Sequence, residues 1–285
     1  MILIAVSGLT NTKWALFDKN NSNKRTIFYT RSINPLNTTR IEMVRVIQKD
    51  VLPNVSEVEK IFFYGYGCST EEPKAELQIA LSRVFPEAKV EVKSELYAAC
   101  FSLLGKTDGV ACILGTSSNS CLYEDGDIKY NIPSLGYILG NEGSGSYLGR
   151  HLVSDLLKNQ LPDTLKNTFF EEYQTNQNEI LKNIYSKPNA DIYLASISQF
   201  LKRHIDEPEC YNIVYDCFCH FFERNIVMYD CPKELPINFV GSIAYNYKDI
   251  LQNVACEYGY WIDKIEENSI TGLIDYHNSS VVGAY

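Results

Sequence analysis

G-V-A-C-I-L-G-T-S-S-N-S-C-L-Y, residues 109–123, decides the fold. An apolar run, Val110 to Leu114, breaks at Gly115 into small hydroxyl residues, and Cys121, Leu122 and Tyr123 resume a strand. Such a turn leaves backbone N–H groups unpaired and aimed one way, a concavity suited to an anion and most often to a phosphate. A second glycine-rich stretch, L-G-Y-I-L-G-N-E-G-S-G-S-Y-L-G, covers residues 135–149 and leads into a helical period at Tyr147, Leu148, Leu152 and Leu156. It delivers further free N–H groups at a helix start. One glycine turn is commonly an ordinary hairpin; two in one neighbourhood point to a phosphate site.

The turn has an echo at the N-terminus. Residues 2–18 read as an apolar run, then S-G-L-T-N-T, then Trp14 to Asp18. Gly8 placed on Gly115 puts Val6 on Ile113, Asn11 on Ser118, Trp14 on Cys121 and Asp18 on Asp125, an offset of 115 − 8 = 107 residues. That spacing is domain-sized and suggests two similar halves, each with one phosphate turn. Two unrelated hairpins are the competing reading.

The bulk properties narrow the class. The 285 residues suffice for two domains with their own cores. With 45% apolar and 21% charged residues the composition is that of a globular chain. The net charge of −9 and the lack of a basic run argue against a nucleic-acid surface. No apolar stretch approaches the roughly 20 residues that span a bilayer. M-I-L-I-A-V reads as a first core strand, not a leader. Among nine cysteines, Cys100 and Cys112 lie in apolar runs, as reduced core thiols of a cytoplasmic protein do. Cys210, Cys217, Cys219 and His220 invite a zinc reading, but they lack paired C-x-x-C spacing, and core cysteines are the favoured reading. The four histidines do not cluster in sequence.

In chain order, strands are predicted at 2–6, 13–18 and 26–32, a helix over 38–52, a strand at 61–64, a helix opened by Pro73, a strand at 90–92 and a helix to Leu104 capped by Ser94. A second unit repeats three strands (110–114, 120–124, 127–131) and a helix over 145–158. A largely helical insert over about 160–235 follows, then a strand from Pro236, a helix to Glu257, a strand over 260–265 and a closing helix. The predicted class is α/β, with one domain over 1–107 and another over 108–285, the last helix free to pack back on the first domain.

These motifs, in this order and spacing over nearly the whole chain, resemble the superfamily of acetate and sugar kinases, heat-shock chaperone ATPases and actin. The nearest branch is the BadF/BadG/BcrA/BcrD-type ATPases and the N-acetylglucosamine kinases. The resemblance implies two ribonuclease-H-like domains around a central cleft for nucleotide and sugar, with ATP held by two hairpin turns. Carried over, Gly8, Thr10, Asn11 and Thr12 match the first phosphate turn, Gly115, Thr116, Ser117 and Ser118 the second, and Gly241 and Ser242 the adenosine turn. Asn34, Asn119, Asn141 and Glu142 match positions near the amino sugar, and Glu95 matches the base that takes the sugar proton. The partners implied are a small sugar, a nucleotide and a second copy in a homodimer, with no nucleic acid and no membrane.

Three acidic positions depart from the family pattern. The metal-holding aspartate of the first turn is Val6, the aspartate base is Glu95, and the aspartate of the second glycine motif is Asn141. Val6 cannot ligate a hard cation, so Mg²⁺ loses its usual ligand and no metal residue is assigned. Glu95 keeps basicity with a longer reach. Ser117 stands at a glycine position, and Lys13 replaces an acidic residue. The readings left open are an ATP-dependent kinase of an amino sugar or similar polyol with impaired activity, a silent relative that binds nucleotide or sugar as a sensor, and an ATPase coupled to another protein's redox centre. The last would need cluster-bridging cysteines, whose spacing is not visible.

Overall fold

The structure, a computed structural model, describes residues 1–18, 21–231 and 233–282. The chain divides into two compact units, Met1–Thr107 with the segment from Asn268 onward, and Asp108–Glu267. Unit 1 carries β1 (Ile2–Ser7), β2 (Asn11–Asp18), β3 (Asn21–Arg31), α1 (Arg40–Val46), β4 (Lys60–Gly65), α2 (Glu71–Val84), β5 (Lys89–Ser94) and α3 (Glu95–Leu103). Its sheet runs β3-β2-β1-β4-β5, antiparallel within the first three strands and parallel from β1 through β4 to β5. β1 is the central strand, so Ile2 to Ala5 form an unbroken buried run, as a strand covered on both faces requires. One face packs Trp14 and Phe63 edge to face at 5.7 Å against Met43, Val46, Leu77 and Leu81.

Local signals place the helices. Thr39 accepts from the Glu42 amide and Glu42 bonds back to Thr39, a capping box that starts α1. The expected helix period over 38–52 is kept by a π turn, Ile47–Val51, that continues α1. Ser94 does precede α3, but its side chain accepts no bond from the helix; its extended backbone alone makes the cap.

Unit 2 carries β6 (Gly109–Leu114), β7 (Ser118–Glu124), β8 (Asp127–Ile132), α4 (Gly136–Leu139), α5 (Gly145–Leu157), α6 (Asp163–Tyr173), α7 (Gln177–Tyr185), α8 (Ala190–Ile197), α9 (Gln199–Arg203), α10 (Pro208–Arg224), β9 (Ile237–Val240), α11 (Ser242–Asn246), α12 (Lys248–Glu257) and β10 (Ile262–Glu266). Its sheet runs β8-β7-β6-β9-β10 with the same strand senses as unit 1. Two five-stranded mixed sheets of one topology, with a helical insert in the second, are the α/β architecture that the repeated turn predicted.

The repeat holds with a corrected register. Ser7 pairs Thr12 across the first turn, but Leu114 pairs Ser118 across the second, so the second turn is one residue shorter. Past the turn the offset becomes 118 − 12 = 106. Trp14 therefore corresponds to Ser120 and not Cys121, and Asp18 to Glu124 and not Asp125. Sequence matching had carried one offset through a loop where lengths are free to change.

The closing helix, α13 (Ile270–Val282), belongs to unit 1 and packs on α3 and β1. His277 anchors it: its Nε2 lies 2.7 Å from the Tyr64 hydroxyl and its ring stacks on Phe62 at 3.7 Å. Burial, with a smaller repulsion from Lys60, holds the His277 pKa near about 4. Unfolding between that value and the usual 6.5 takes up a proton that the folded imidazole refuses. The contribution of His277 is thus full above pH 6.5 and shrinks as pH falls toward 4, by up to roughly 3 kcal/mol. His277→Gln is expected to flatten the loss of stability between pH 6.5 and 4.5. Urea midpoints at both pH values check this; an unchanged difference between them would refute it.

Candidate functional site

Ligand sites on open α/β sheets form beyond the carboxyl ends of the parallel strands, where the next loops begin. Each unit places its predicted residues at that edge.

In unit 1 the β1–β2 turn holds Gly8, Thr10 and Asn11 at the surface. The Gly8 amide closes the turn on the Asn11 carbonyl at 3.0 Å, and the Leu9 and Thr10 amides have no partner among the described residues. Those two can face an anion. Thr12 is held inside the unit. Fully buried, its hydroxyl meets Ser7 Oγ at 2.8 Å and accepts from the Ile33 amide at 3.2 Å, while Ser7 Oγ donates to the Ile33 carbonyl at 3.0 Å. The two hydroxyls thereby clamp the 32–37 loop to the turn.

That loop fixes Asn34. Its Oδ1 accepts from the Leu36 amide at 3.0 Å, a side-chain turn of the kind asparagine favours. Gly67 lies against it with φ 82°, and a Cβ there would stand 2.4 Å from Asn34 Oδ1. Glu95 is the first residue of α3, where the helix dipole favours a carboxylate. It lies near Cys68, whose pKa is pushed up to about 12 by burial and then by the Glu95 charge. Asn34, Gly67, Cys68 and Glu95 thus share one end of the unit 1 sheet.

Two substitutions read from the sequence acquire geometry. Val6 pairs with Lys13 on one side and Tyr64 on the other, so no oxygen ligand stands at the first-turn position. Lys13 does not turn its amine toward that gap; Nζ lies over the Tyr29 ring at 5.5 Å, on the outer strand β3. The residues at this position do not fit a bound Mg²⁺, and among the described residues no group of three or more His, Cys, Asp or Glu side chains could hold a metal ion. The Cys210, Cys217, Cys219 and His220 set is likewise no such group; Cys210 and Cys217 are buried core thiols.

In unit 2 the turn is tighter. The Gly115 amide bonds the Ser117 carbonyl at 2.9 Å, and the Thr116 and Ser117 amides have no partner among the described residues. Ser117 has no positive φ, so serine fits its glycine position without strain. The start of α5 buttresses the turn: Gly145 N donates to Gly115 O at 2.8 Å and Ser146 N to Thr116 O at 3.1 Å. Asn141, left-handed at φ 59°, directs Oδ1 to the Ser118 amide at 3.4 Å and Nδ2 to Ser146 Oγ at 3.4 Å. Gly241 closes the other side. With φ 128°, its missing Cβ would stand 2.3 Å from Leu114 O and 3.2 Å from Gly115 N, so backbone packs directly on backbone, with Ser242 next at the start of α11.

Glu142, buried, pairs with Arg224 Nε at 2.5 Å, so its charge is compensated within the unit. Asn119 stands apart. It alternates with Ser118 along β7, and its Oδ1 accepts from Asn131 Nδ2 at 2.9 Å. The structure thus brings Gly115 to Ser118, Asn141 and Gly241 together and leaves Asn119 outside that group. Sequence reasoning missed Ser144, Ser146, Gly67 and Arg224. Ser144 and Ser146 were in view inside N-E-G-S-G-S, but their mutual bond at 3.0 Å is tertiary information.

Two five-stranded mixed sheets of one topology, each with a strand–turn–strand unit at its centre, are the two-domain actin-like ATPase and sugar kinase fold. No protein-family model matches the chain, and no curated protein does. Solved structures do. A protein from Porphyromonas gingivalis, provisionally assigned as an N-acetylglucosamine kinase, is 37% identical over 99% of this chain and 100% of its own, with a TM-score of 0.94. The chain belongs to the family of that N-acetylglucosamine kinase-like protein. A provisional N-acetylglucosamine kinase from Chromobacterium violaceum (15% identity, 96% of this chain and 98% of that one, TM-score 0.72) shares the fold. So does a provisional N-acetylmannosamine kinase from Listeria monocytogenes (12%, 98% and 99%, TM-score 0.53).

Among the described residues no helix is long and apolar enough to cross a membrane.

Proposed function

We propose that the protein transfers a phosphoryl group from ATP to a hydroxyl of an amino sugar or similar small polyol, within the N-acetylglucosamine kinase and BadF-type branch. The observation that carries this reading is the unit 2 cradle: Thr116 and Ser117 amides without a partner among the described residues, with Gly241 packed where only glycine fits. Phosphoryl transfer needs positioning and charge neutralisation more than covalent help from the protein. The cradle supplies donors for phosphate oxygens. Glu95 is the group to take the proton from the attacking hydroxyl, and Asn34 a group to hold the sugar. The P. gingivalis relative supports the substrate class.

A second reading, a nucleotide or sugar binder without turnover, is favoured by Val6 in place of a carboxylate. Both readings predict that Mg²⁺ changes ATP affinity less than about threefold. Metal-dependent tightening of tenfold, about 1.4 kcal/mol, would overturn that expectation. Calorimetric titration with ATP, with and without Mg²⁺, checks it. The companion assay measures sugar phosphate formed from N-acetylglucosamine and ATP. Product supports the kinase; saturable binding without product supports the silent binder; no binding of either ligand refutes both.

A further inference from the structure

Unit 2 contains a second concavity whose chemistry differs from that of the phosphate cradle. It is an open groove of about 510 Å³ between α4, α5, α7 and α8. Its volume is in the range of small-molecule sites, roughly 300–1,000 Å³. The floor is apolar: Val153 and Leu157 from α5, Leu181 and Ile184 from α7, Leu194 from α8. Its lining carries two cations, Arg150 and Lys158, and no acidic side chain, although the chain as a whole bears −9. Arg150, Ser154 and Lys158 recur every fourth residue and so lie along one side of α5. Val153 and Leu157 lie beside them.

Arg150 is held in place in advance of any ligand. Nη1 donates to the carbonyls of Tyr137 at 2.9 Å and Ile138 at 3.0 Å, and the guanidinium lies over the Tyr147 ring at 4.6 Å. These contacts fix the guanidinium at the rim of the apolar floor, where its charge can meet an anion. The apolar lining reaches the surface at Ile138 and Tyr185, 68% and 82% exposed.

We propose that this groove binds a small molecule with an apolar body and one anionic head, the body on the α5–α7–α8 floor and the head on Arg150. It is a site separate from the phosphate cradle and does not depend on the kinase reading. The grip of Arg150 on α4 also ties the groove to the loop ending at Asn141, whose amide bonds Ser134 O at 2.9 Å.

The test uses the full chain and 8-anilinonaphthalene-1-sulfonate, which has an aromatic body and a single sulfonate. One saturable site per chain is expected, with decanoate displacing the dye at least tenfold more effectively than decanol. Leu181→Glu, which puts a carboxylate into the floor, and Arg150→Gln, which removes the cation, are each expected to weaken dye binding tenfold or more. Thermal melts confirm that both variants remain folded. Four results would each overturn the proposal: several weak dye sites per chain, equal displacement by decanol, unchanged affinity in folded Leu181→Glu, or a dimer by sedimentation that excludes the dye. The last would make the groove a contact between two copies.

Discussion

Gly241→Ala is expected to lower the free energy of unfolding by about 2–6 kcal/mol and to abolish ATP binding. Two independent effects add. At φ 128° any side chain is strained, by about 1–3 kcal/mol. The new Cβ would also sit 2.3 Å from Leu114 O and 2.7 Å from Leu114 C, and backbone cannot rotate away as a side-chain tip can. Overpacking of this kind costs about 1–3 kcal/mol. Relief would come from a shift of β9 against β6, and that shift would displace Gly115, the first residue of the unit 2 turn. Denaturant titration and ATP calorimetry test both halves. Gly8→Ala, at an exposed glycine whose Cβ would meet nothing within 4 Å, is the control and is expected to keep its stability. Equal stability in Gly241→Ala would mean that β9 tolerates the shift and that Gly241 does not define the cradle.

Glu95→Gln is expected to cut sugar phosphorylation by about 10²–10⁴-fold in kcat, with KM for ATP and sugar nearly unchanged. The isosteric amide preserves shape at the first residue of α3 and removes the basic oxygen. Glu95→Asp separates basicity from reach. It restores the acid one C–C bond shorter, and a displacement near 1 Å can cost about 10²-fold if the α3 backbone has receded to suit glutamate. Retained activity in the aspartate variant with loss in the glutamine variant assigns the proton transfer to this carboxylate. Unchanged kcat in Glu95→Gln would remove Glu95 from that role.

Much of this was legible in the chain. G-T-S-S between two apolar runs could form little other than a tight strand–turn–strand, because the flanking residues bury and the turn residues are small. Its echo at Ser7–Thr12 implied two like sheets. Helix periods in the insert, such as Leu194, Ile197, Leu201 in one stretch and Ile213, Cys217, Phe221 in another, were visible because burial on one face imposes spacing. Side-chain roles were harder to read. Thr12, read as a phosphate ligand, has its hydroxyl on Ile33, and Asn119, read as a sugar ligand, has its amide oxygen on Asn131. In both cases residue type gave the capacity to bond, and strand alternation together with a distant partner chose the bond.

By itself the sequence determined the α/β class, the two strand–turn–strand turns, the helical insert and the absence of a carboxylate at Val6, since each depends on residues close together in the chain. Tertiary structure alone decided the 106-residue offset after the turn, the backbone contact that demands glycine at 241, the Glu142–Arg224 pair and the cationic groove along α5. Those features join residues as much as 127 positions apart, the separation of Leu114 from Gly241 being 241 − 114 = 127. Local propensity carries no information about which distant backbone will arrive within van der Waals reach; the packing of β9 on β6 supplies it.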